Sequence, residues 1–201
     1  MAVAPVAALL LALASAQQGR DSITYLLSPG SRFQVKTGKA GLLGFAGHDH
    51  LINARAFSGW IVLHPTAPSN SRVEVVVPAE SLEVLTPPDT AEIRKVTEAM
   101  RTEVLRVDQY PEIRFVSKAV TPIDGGFRVQ GELTLVGRMR DVSVDVRVDI
   151  GGDTVRASGA FSIKQTEFGI RPYRGGPAGT VRVADRVTFS IAAIGIRSPP
   201  P

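Results

Sequence analysis

The chain has 201 residues and a mild net charge of +4, from 23 Lys and Arg against 19 Asp and Glu. It has no cysteine, so disulfides, thiolate nucleophiles and cysteine-ligated metals are excluded. The basic residues are interspersed with acids, as in RVEVVVPAESLEV, and form no basic stripe of the kind that nucleic-acid binding needs. We therefore expect no nucleic-acid partner, and a length that fits one domain.

The N-terminus predicts an export signal. Val3 to Ala14 form an apolar run that is too short to span a bilayer, which takes about 20 residues. Ala14-Ser15-Ala16 fits the small-x-small pattern of a cleavage site. We expect residues 1–16 to be a signal peptide and the mature protein to be periplasmic or secreted.

Period-two alternation dominates the remaining sequence. In DVSVDVRVDI, at 141–150, every second residue is apolar, and FRVQGELTL and VTFSIAA repeat the pattern at 127–135 and 187–193. Alternate side chains of a strand point to opposite faces, so each of these strands has one apolar and one polar face. This is typical of antiparallel sheet. A long hairpin that turns near Gly137 is expected between the first two of these strands.

One segment, PPDTAEIRKVTEAMRTEVLRV, has helical periodicity instead. Asp89 is placed to cap a helix, and Glu92 three residues later would complete a capping box. An apolar stripe at spacings of three or four follows, made of Ile93, Val96, Met100, Val104 and Val107. The pattern predicts one amphipathic helix over 89–107, packed as a lid on a sheet or on the end of a barrel.

The number of antiparallel strands favours a closed barrel, because closure removes the exposed edges of a sheet. A barrel of eight strands is just wide enough either to fill itself with side chains or to hold one small ligand. The sequence does not distinguish a packed interior from a hollow one. The fold class is thus all-β, an antiparallel barrel of about eight strands with one helix inserted.

Four segments in order resemble the YceI-like family: QYPEIRFVSKAV, GFRVQGELTLVGRMRDVSVDVRV, FSIKQTEFGI and VADRVTFSIAA. The opening strands, with Phe-x-Val, a His-containing turn and Phe-Ser-Gly, are also similar to the start of that family. Positions that match the family pattern are Tyr110, Pro111, Phe115, Ser117, Gly131, Leu133, Gly137, Phe168 and Gly169. The resemblance covers nearly all of the predicted domain at 22–196, which leaves 197–201 as a disordered tail.

The resemblance implies an exported, elongated lipocalin-like barrel that binds a polyisoprenoid or a related lipid in an apolar tunnel. The ligand-binding candidates that follow are Phe33, Val35, His48, His50, Phe115, Leu133, Leu135, Val144, Val146 and Phe168. Each apolar candidate either lines the tunnel or packs the core. Where many members carry a basic motif with a threonine-lysine pair, this chain has Arg138, Met139 and Arg140. That difference leaves the identity of the ligand open.

The segment GFAGHDHLI, at 44–52, holds two of the three histidines of the chain, His48 and His50. Residues two apart on a strand point the same way, so both imidazoles could face one metal ion. Structural zinc, however, almost always takes four protein ligands, and catalytic zinc takes three. Alternatively, Gly44 and Gly47 form a tight bend that the histidines and Asp49 support by hydrogen bonds, or the imidazoles contact the polar end of an apolar ligand at the barrel mouth.

No motif points to an enzyme. The G-x-S-x-G serine motif and the phosphate-binding G-x-x-x-x-G-K-[ST] loop are both absent from the sequence. We expect a binding protein without a cofactor, whose partner is a long-chain apolar lipid such as a polyisoprenoid. The alternatives are a metal-binding protein or metal-dependent enzyme centred on His48 and His50, and a packed barrel that serves as an interaction module. A transient contact with a membrane surface and a homodimer also stay open.

Overall fold

The fold is given by a computed structural model, which describes residues 22–40, 49–85, 90–175 and 181–199. The predicted signal peptide at 1–16, His48 and the proposed cap Asp89 lie outside the described residues. No helix among the described residues has the length and apolar character needed to span a membrane.

Twelve strands form one continuous antiparallel sheet. The first six are β1 Ile23–Leu27, β2 Arg32–Ala40, β3 Leu51–Ala54, β4 Ser58–Leu63, β5 Arg72–Pro78 and β6 Leu82–Val84. The others are β7 Glu112–Ile123, β8 Gly126–Leu135, β9 Arg138–Gly151, β10 Thr154–Lys164, β11 Arg174–Gly175 and β12 Val181–Arg197. Among the described residues, one α-helix, α1 Thr90–Ala99, lies between β6 and β7. Strand β12 extends into the predicted tail, since Arg197 is its last residue.

Eight of these strands close into a barrel, in the order β1-β4-β5-β7-β8-β9-β10-β12 and back to β1. Closure depends on β12, which pairs with β10 along one edge and with β1 through Gly195–Arg197 on the other. The apolar faces of the alternating strands point inward, as Val129, Val144 and Val146 show by their burial. The structure confirms the predicted all-β barrel with one inserted helix.

The N-terminal strands come in collinear pairs, each interrupted by a short break. The pairs are β1 with β2, β3 with β4 and β5 with β6, so that β2, β3 and β6 extend the wall beyond β1, β4 and β5. At the first break, the buried Ser31 hydroxyl accepts from the Ile194 N–H (2.9 Å) and donates to the Ile194 carbonyl (3.1 Å). The Ser31 side chain therefore provides hydrogen-bond partners for the backbone N–H and carbonyl of Ile194 where the pairing between strands is interrupted.

The extended wall is split between β6 and β7, and α1 lies against the split. Strand β5 pairs with β7 up to Pro78 and Glu112, whereas β6 pairs among the described strands with β3. The free edge of β6 bonds to helical side chains instead. The Val84 N–H donates to Thr97 Oγ1 (3.3 Å), and Arg101 Nη2 donates to the Leu82 carbonyl (3.0 Å). The helix thus covers a sheet edge that would otherwise be open.

The helical segment differs from the prediction in its second half. The α-helix ends at Ala99 and continues as a π-helical turn over Met100–Leu105. Arg106 then adopts a left-handed conformation (φ 50°), which ends the segment before Val107. The wider turn brings both Met100 and Leu105 into the barrel as buried residues. A uniform 3.6-residue period does not predict this change, because a π-helical turn has i→i+5 instead of i→i+4 hydrogen bonds.

A two-residue turn joins β8 to β9, which confirms the hairpin predicted near Gly137. Both turn residues, Val136 (φ 49°) and Gly137 (φ 67°), are left-handed, as a type I′ turn requires. A Cβ atom added at Gly137 would lie 2.6 Å from Cε1 of Tyr110. The Arg106 guanidinium lies 4.9 Å from the centroid of the same ring. Glycine is required here by both the backbone conformation and the packed ring.

Cross-strand ion pairs cover the outer face of β5, β7, β8 and β9. Arg114 pairs with Glu74 (2.8 Å), and Arg128 pairs with Asp145 (2.7 Å). Lys118 bonds to Asp141 (2.6 Å) and Glu132 (2.8 Å), and these hydrogen bonds raise the pKa of Lys118 to about 12. This face of the barrel is therefore electrostatically compensated.

We predict that Gly137→Ala lowers the free energy of unfolding by more than about 2 kcal/mol, since a left-handed alanine costs roughly 1–2 kcal/mol and the methyl group also meets Tyr110. Urea unfolding followed by circular dichroism measures the change. Gly125→Ala is the matched control, because Gly125 is also left-handed (φ +73°) but has no heavy atom within 4 Å of the added Cβ. An equal loss in both variants would show that the contact with Tyr110 is unimportant.

Candidate ligand-binding cavity

The interior of the barrel is hollow along its axis, and a lower cavity of about 170 Å³ lies at the end covered by the helical segment. Met100, Val104 and Leu105 close one side of it. The opposite walls come from β2, β8, β10 and β12 and include Val35, Leu133, Leu135, Ile163, Val187 and Phe189. The stacked rings of Phe161 and Phe189, with centroids 5.0 Å apart, form part of this wall. The cavity is almost entirely apolar.

An upper cavity of about 110 Å³ continues toward the other end of the barrel. Its walls include Leu27, Ile61, Leu63, Val146, Val148 and Val155. The two cavities share five lining residues, which are Phe33, Val75, Phe115, Val144 and Ile191. These five residues, called here the constriction, lie where one cavity adjoins the other. The two cavities, called here the lower and upper compartments, are therefore neighbours inside the barrel.

Each compartment alone is smaller than the roughly 300–1,000 Å³ of typical ligand pockets. A ligand that fills the space therefore has to be long and narrow and to pass the constriction. Such a shape fits an extended hydrocarbon chain better than a compact ring system.

Two buried polar side chains, Thr37 and Gln165, line the lower compartment. Thr37 Oγ1 accepts a hydrogen bond from the His50 N–H (3.2 Å), which leaves the hydroxyl hydrogen available for a further acceptor. Gln165 Nε2 donates to the Ala184 carbonyl (2.8 Å), which fixes the orientation of the amide. Placed polar groups in an apolar pocket orient a ligand. The lower end is therefore suited to the polar terminus of an otherwise apolar molecule.

Asp185 holds the turn that carries Gln165. Its carboxylate accepts from the Thr166 N–H (2.9 Å) and from the Thr166 hydroxyl (2.8 Å). Desolvation acts to raise the pKa of Asp185, but the hydrogen bonds from Thr166 outweigh it and hold the pKa below its ordinary value. Asp185 lies in a bulge of β12, where the register with β2 shifts between Val183 and Val187. The bulge thus aims a carboxylate at the turn.

Seven of the residues proposed from sequence line the compartments. Phe33, Val35, Phe115, Leu133, Leu135 and Val144 line the lower one, and Val146 lines the upper one. Phe168 lies instead in the packed core, 1% exposed, beside Leu135 and Val136. Contact of any of them with a ligand remains a prediction.

His50 lies just before β3, partly buried, and neither compartment includes it among its described lining residues. Its backbone N–H supports Thr37, as described above, and the neighbouring Asp49 forms an ion pair with Lys36 (3.7 Å). Among residues 22–40, 49–85, 90–175 and 181–199, no three His, Asp or Glu side chains come together as a metal site.

The sequence pattern did not single out Thr37, Gln165 or the helical Leu105 as cavity residues. Thr37 follows Phe33 and Val35 at alternate positions of β2, so the period-two pattern could have predicted that it faces the interior. Gln165 begins a 3₁₀ turn, and Leu105 is turned inward by the π-turn. Neither position follows from strand or helix periodicity.

The sequence matches the YceI-like domain pattern over residues 32–194. The chain belongs to the YceI-like family. A comparison with curated protein sequences gave no significant match.

Solved structures of low sequence identity share the fold. BcnA of Burkholderia cenocepacia superposes with a TM-score of 0.66 at 20% identity, over 82% of this chain and 95% of that one. A polyisoprenoid-binding domain of Saccharophagus degradans, implicated in plant cell wall breakdown, gives 0.60 at 12% identity, over 87% and 98%. The YceI protein of Campylobacter jejuni gives 0.57 at 16% identity, over 74% and 85%.

We predict that Asp185→Asn destabilises the protein by about 1 kcal/mol at neutral pH, because the charged acceptor of the Thr166 hydrogen bonds is lost. A carboxylate whose folded pKa is lowered stabilises the fold above its unfolded pKa of about 3.9, and this contribution is lost as the pH falls through the folded pKa. The difference between wild type and variant should therefore shrink below about pH 4.

Thermal melts across this pH range measure the effect. Glu167→Gln is the matched control, because Glu167 is exposed on the same turn. A constant difference down to the lowest pH would show that the Asp185 charge does not stabilise the turn.

Proposed function

We propose that this protein is a binding protein that encloses a long apolar ligand, a polyisoprenoid or a similar lipid, along the axis of its barrel. The observation that carries the proposal is the pair of apolar compartments joined at the constriction. Membership of the YceI-like family and the fold shared with the polyisoprenoid-binding domain of Saccharophagus degradans support it.

Binding to such an interior needs no chemical step. Apolar surface removed from water stabilises a complex by about 25 cal/mol per Å², so a chain enclosed on all sides gains affinity along its length. Thr37 and Gln165 then set the orientation of the bound ligand. Its polar end lies in the lower compartment, and its apolar tail extends past the constriction. On this arrangement the head-group contacts come from Thr37 and Gln165, and the segment of His50 supports Thr37 from outside the cavity.

We also propose that the protein works after export, in the periplasm or outside the cell. The apolar run and the Ala14-Ser15-Ala16 site support this. We expect protein recovered from the extracytoplasmic fraction to have the intact mass of a chain that begins at Gln17. Recovery of the full-length chain from the cytoplasm alone would contradict export.

Native mass spectrometry of the exported protein tests the binding function. We expect a mass excess of several hundred daltons that disappears on denaturation and is recovered in organic solvent as a lipid, since a ligand that fills both compartments has to be a long hydrocarbon. Protein that is empty after purification, and that stays empty after incubation with a polyprenyl lipid, would contradict the proposal.

We predict that Val144→Phe lowers ligand occupancy at least several-fold, because Val144 lies in the constriction and the larger ring narrows the passage. In a packed core, such a substitution costs about 1–3 kcal/mol of stability. Here we expect less than about 1 kcal/mol, because the ring enters existing space. Occupancy is measured as the ligand-bound fraction in native mass spectra, and stability by thermal melts.

Ser143→Phe is the control for this variant, because Ser143 is the adjacent residue of β9 and is exposed on the outer face. It should keep full occupancy. If Val144→Phe binds as much ligand as Ser143→Phe, the ligand does not pass the constriction.

A further inference from the structure

An apolar row crosses the outer surface of the barrel on three neighbouring strands. Leu26 of β1 pairs with Trp60 of β4 on one side and with Ile196 of β12 on the other. Leu26 is 53% exposed and Ile196 is 45% exposed, although both are large aliphatic residues. Ile194, two residues before Ile196, lies on the same outer face. Adjacent positions on paired strands form a contiguous patch rather than scattered exposure.

Three arginines adjoin this row. Arg32, Arg147 and Arg156 line a concave surface of about 340 Å³ on β2, β9, β10 and β12, together with Ile194. The floor between them consists of the small residues Ser158 and Ala192, which lie opposite Arg147 and Arg32 in the strand register. One acidic residue, Asp149, also lines the surface, beside Arg156. The local charge is therefore three positive to one negative.

These arginines differ from the basic residues of β7 and β8. Among the described residues, the ion pairs of the barrel include Arg114, Lys118 and Arg128 but none of Arg32, Arg147 and Arg156. Strand β9 shows the contrast within one element, since Asp141 and Asp145 pair toward β8 while Arg147 has no acidic partner toward β10. This side of the barrel therefore presents three arginines that make no ion pair with the described acidic residues.

We propose that this side of the barrel docks on a lipid bilayer that contains anionic lipids. The docking face consists of Leu26, Trp60, Ile194, Ile196, Arg32, Arg147 and Arg156. Tryptophan and aliphatic side chains insert at the boundary between headgroups and acyl chains, and nearby arginines are attracted to anionic headgroups. The concave surface between the arginines has room for a headgroup phosphate, which arginine binds by paired hydrogen bonds.

A second copy of the chain fits this face less well. In a two-fold symmetric contact, the same patch meets itself, so three arginines would face three arginines with a single acid on each side. Like charges placed opposite each other disfavour such a contact. A bilayer instead supplies many anionic headgroups, which can move to positions opposite the arginines.

The docking face does not depend on the proposed ligand, because its side chains point away from the cavity. Trp60 lines neither compartment, whereas the adjacent Ile61 lines the upper one from inside. Docking would therefore place the upper compartment behind the wall that contacts the membrane.

Trp60 is the single tryptophan of the chain, so its fluorescence reports directly on this face. The purified protein is mixed with vesicles of phosphatidylcholine and phosphatidylglycerol in equal amounts, or of phosphatidylcholine alone, without any prenyl lipid. We expect the protein to float with the anionic vesicles and the Trp60 emission to move to shorter wavelength. Both effects should disappear at about 1 M salt, where charges are screened within about 3 Å.

The triple variant R32Q, R147Q and R156Q should bind the anionic vesicles on the order of 100-fold more weakly, at roughly fivefold per arginine. The matched control, R114Q, K118Q and R128Q, removes the same charge from β7 and β8, outside the docking face, and should bind nearly as well as the wild type. If the apolar segment at residues 3–14 is retained, it is present in the wild type and in both triple variants. Its own affinity for vesicles therefore cancels in the comparison between the two triple variants, and that comparison decides the result.

Equal binding by the two triple variants would overturn the proposal, and so would no binding of the wild type to anionic vesicles. A Trp60 shift without flotation, accompanied by a doubled mass in light scattering, would also overturn it and would identify the face as a dimer contact. None of these results bears on ligand uptake. Failure of docking is therefore distinguishable from failure of the carrier function, which native mass spectrometry tests separately.

Discussion

The structure depends on the pairing of β12 with β10, β2 and β1. Strand β12 binds β10 along one edge, and on its other edge it binds first β2 and then β1. Because β1 is also paired with β4, this last contact joins the two ends of the sheet. Where β1 gives way to β2, the Ser31 hydroxyl bonds to the Ile194 N–H and carbonyl, and the Ser28 N–H donates to the same carbonyl. Closure by a single long strand removes the edges of the eight-stranded ladder and holds its apolar faces around a common axis.

A closed ladder also explains how the interior can remain open. In a packed core, side chains from opposite walls hold each other in place, and any gap loses contacts. Here each wall is held by backbone hydrogen bonds to its neighbours, and one side of the outer surface adds ion pairs such as Arg114 with Glu74. Clusters of apolar residues still pack along the wall and at both ends, as Tyr25 and Phe168 do. The space between them is left for a ligand.

Much of the fold could be predicted from the sequence, because alternation is a direct consequence of strand geometry. The long strands β8, β9 and β12 contain the clearest alternating segments, and the helix was expected in the correct place. Several positions that carry the resemblance to the YceI-like family are points of close approach. A Cβ atom at Gly131 would lie 2.6 Å from Cζ of Phe115, and one at Gly169 would lie 2.6 Å from Cζ of Arg138. Such positions identify the fold, but they give no information on which ligand is bound.

The cavity was less predictable, because alternation shows which side chains point inward but not what they meet there. An inward apolar residue such as Leu133 has the same pattern whether it meets another side chain or a space. Compartments depend on the distance between walls, which follows from closure, bulges and the π-turn rather than from local composition. The polar residues of the lower compartment were missed because their roles depend on residues remote in sequence. Thr37 is bonded by His50, and Gln165 is oriented by Ala184.

The split between β6 and β7 gives the wall an uneven resistance to local unfolding. Elsewhere around the barrel, separating two strands breaks a ladder of backbone hydrogen bonds. At the split, the Val84 amide is held by the Thr97 hydroxyl and the Leu82 carbonyl by Arg101, both of them single side-chain contacts. Amide hydrogen exchange reports such differences, since local openings that expose few contacts have the lowest free energy. The barrel therefore contains a seam that can open while the eight-stranded ladder stays closed.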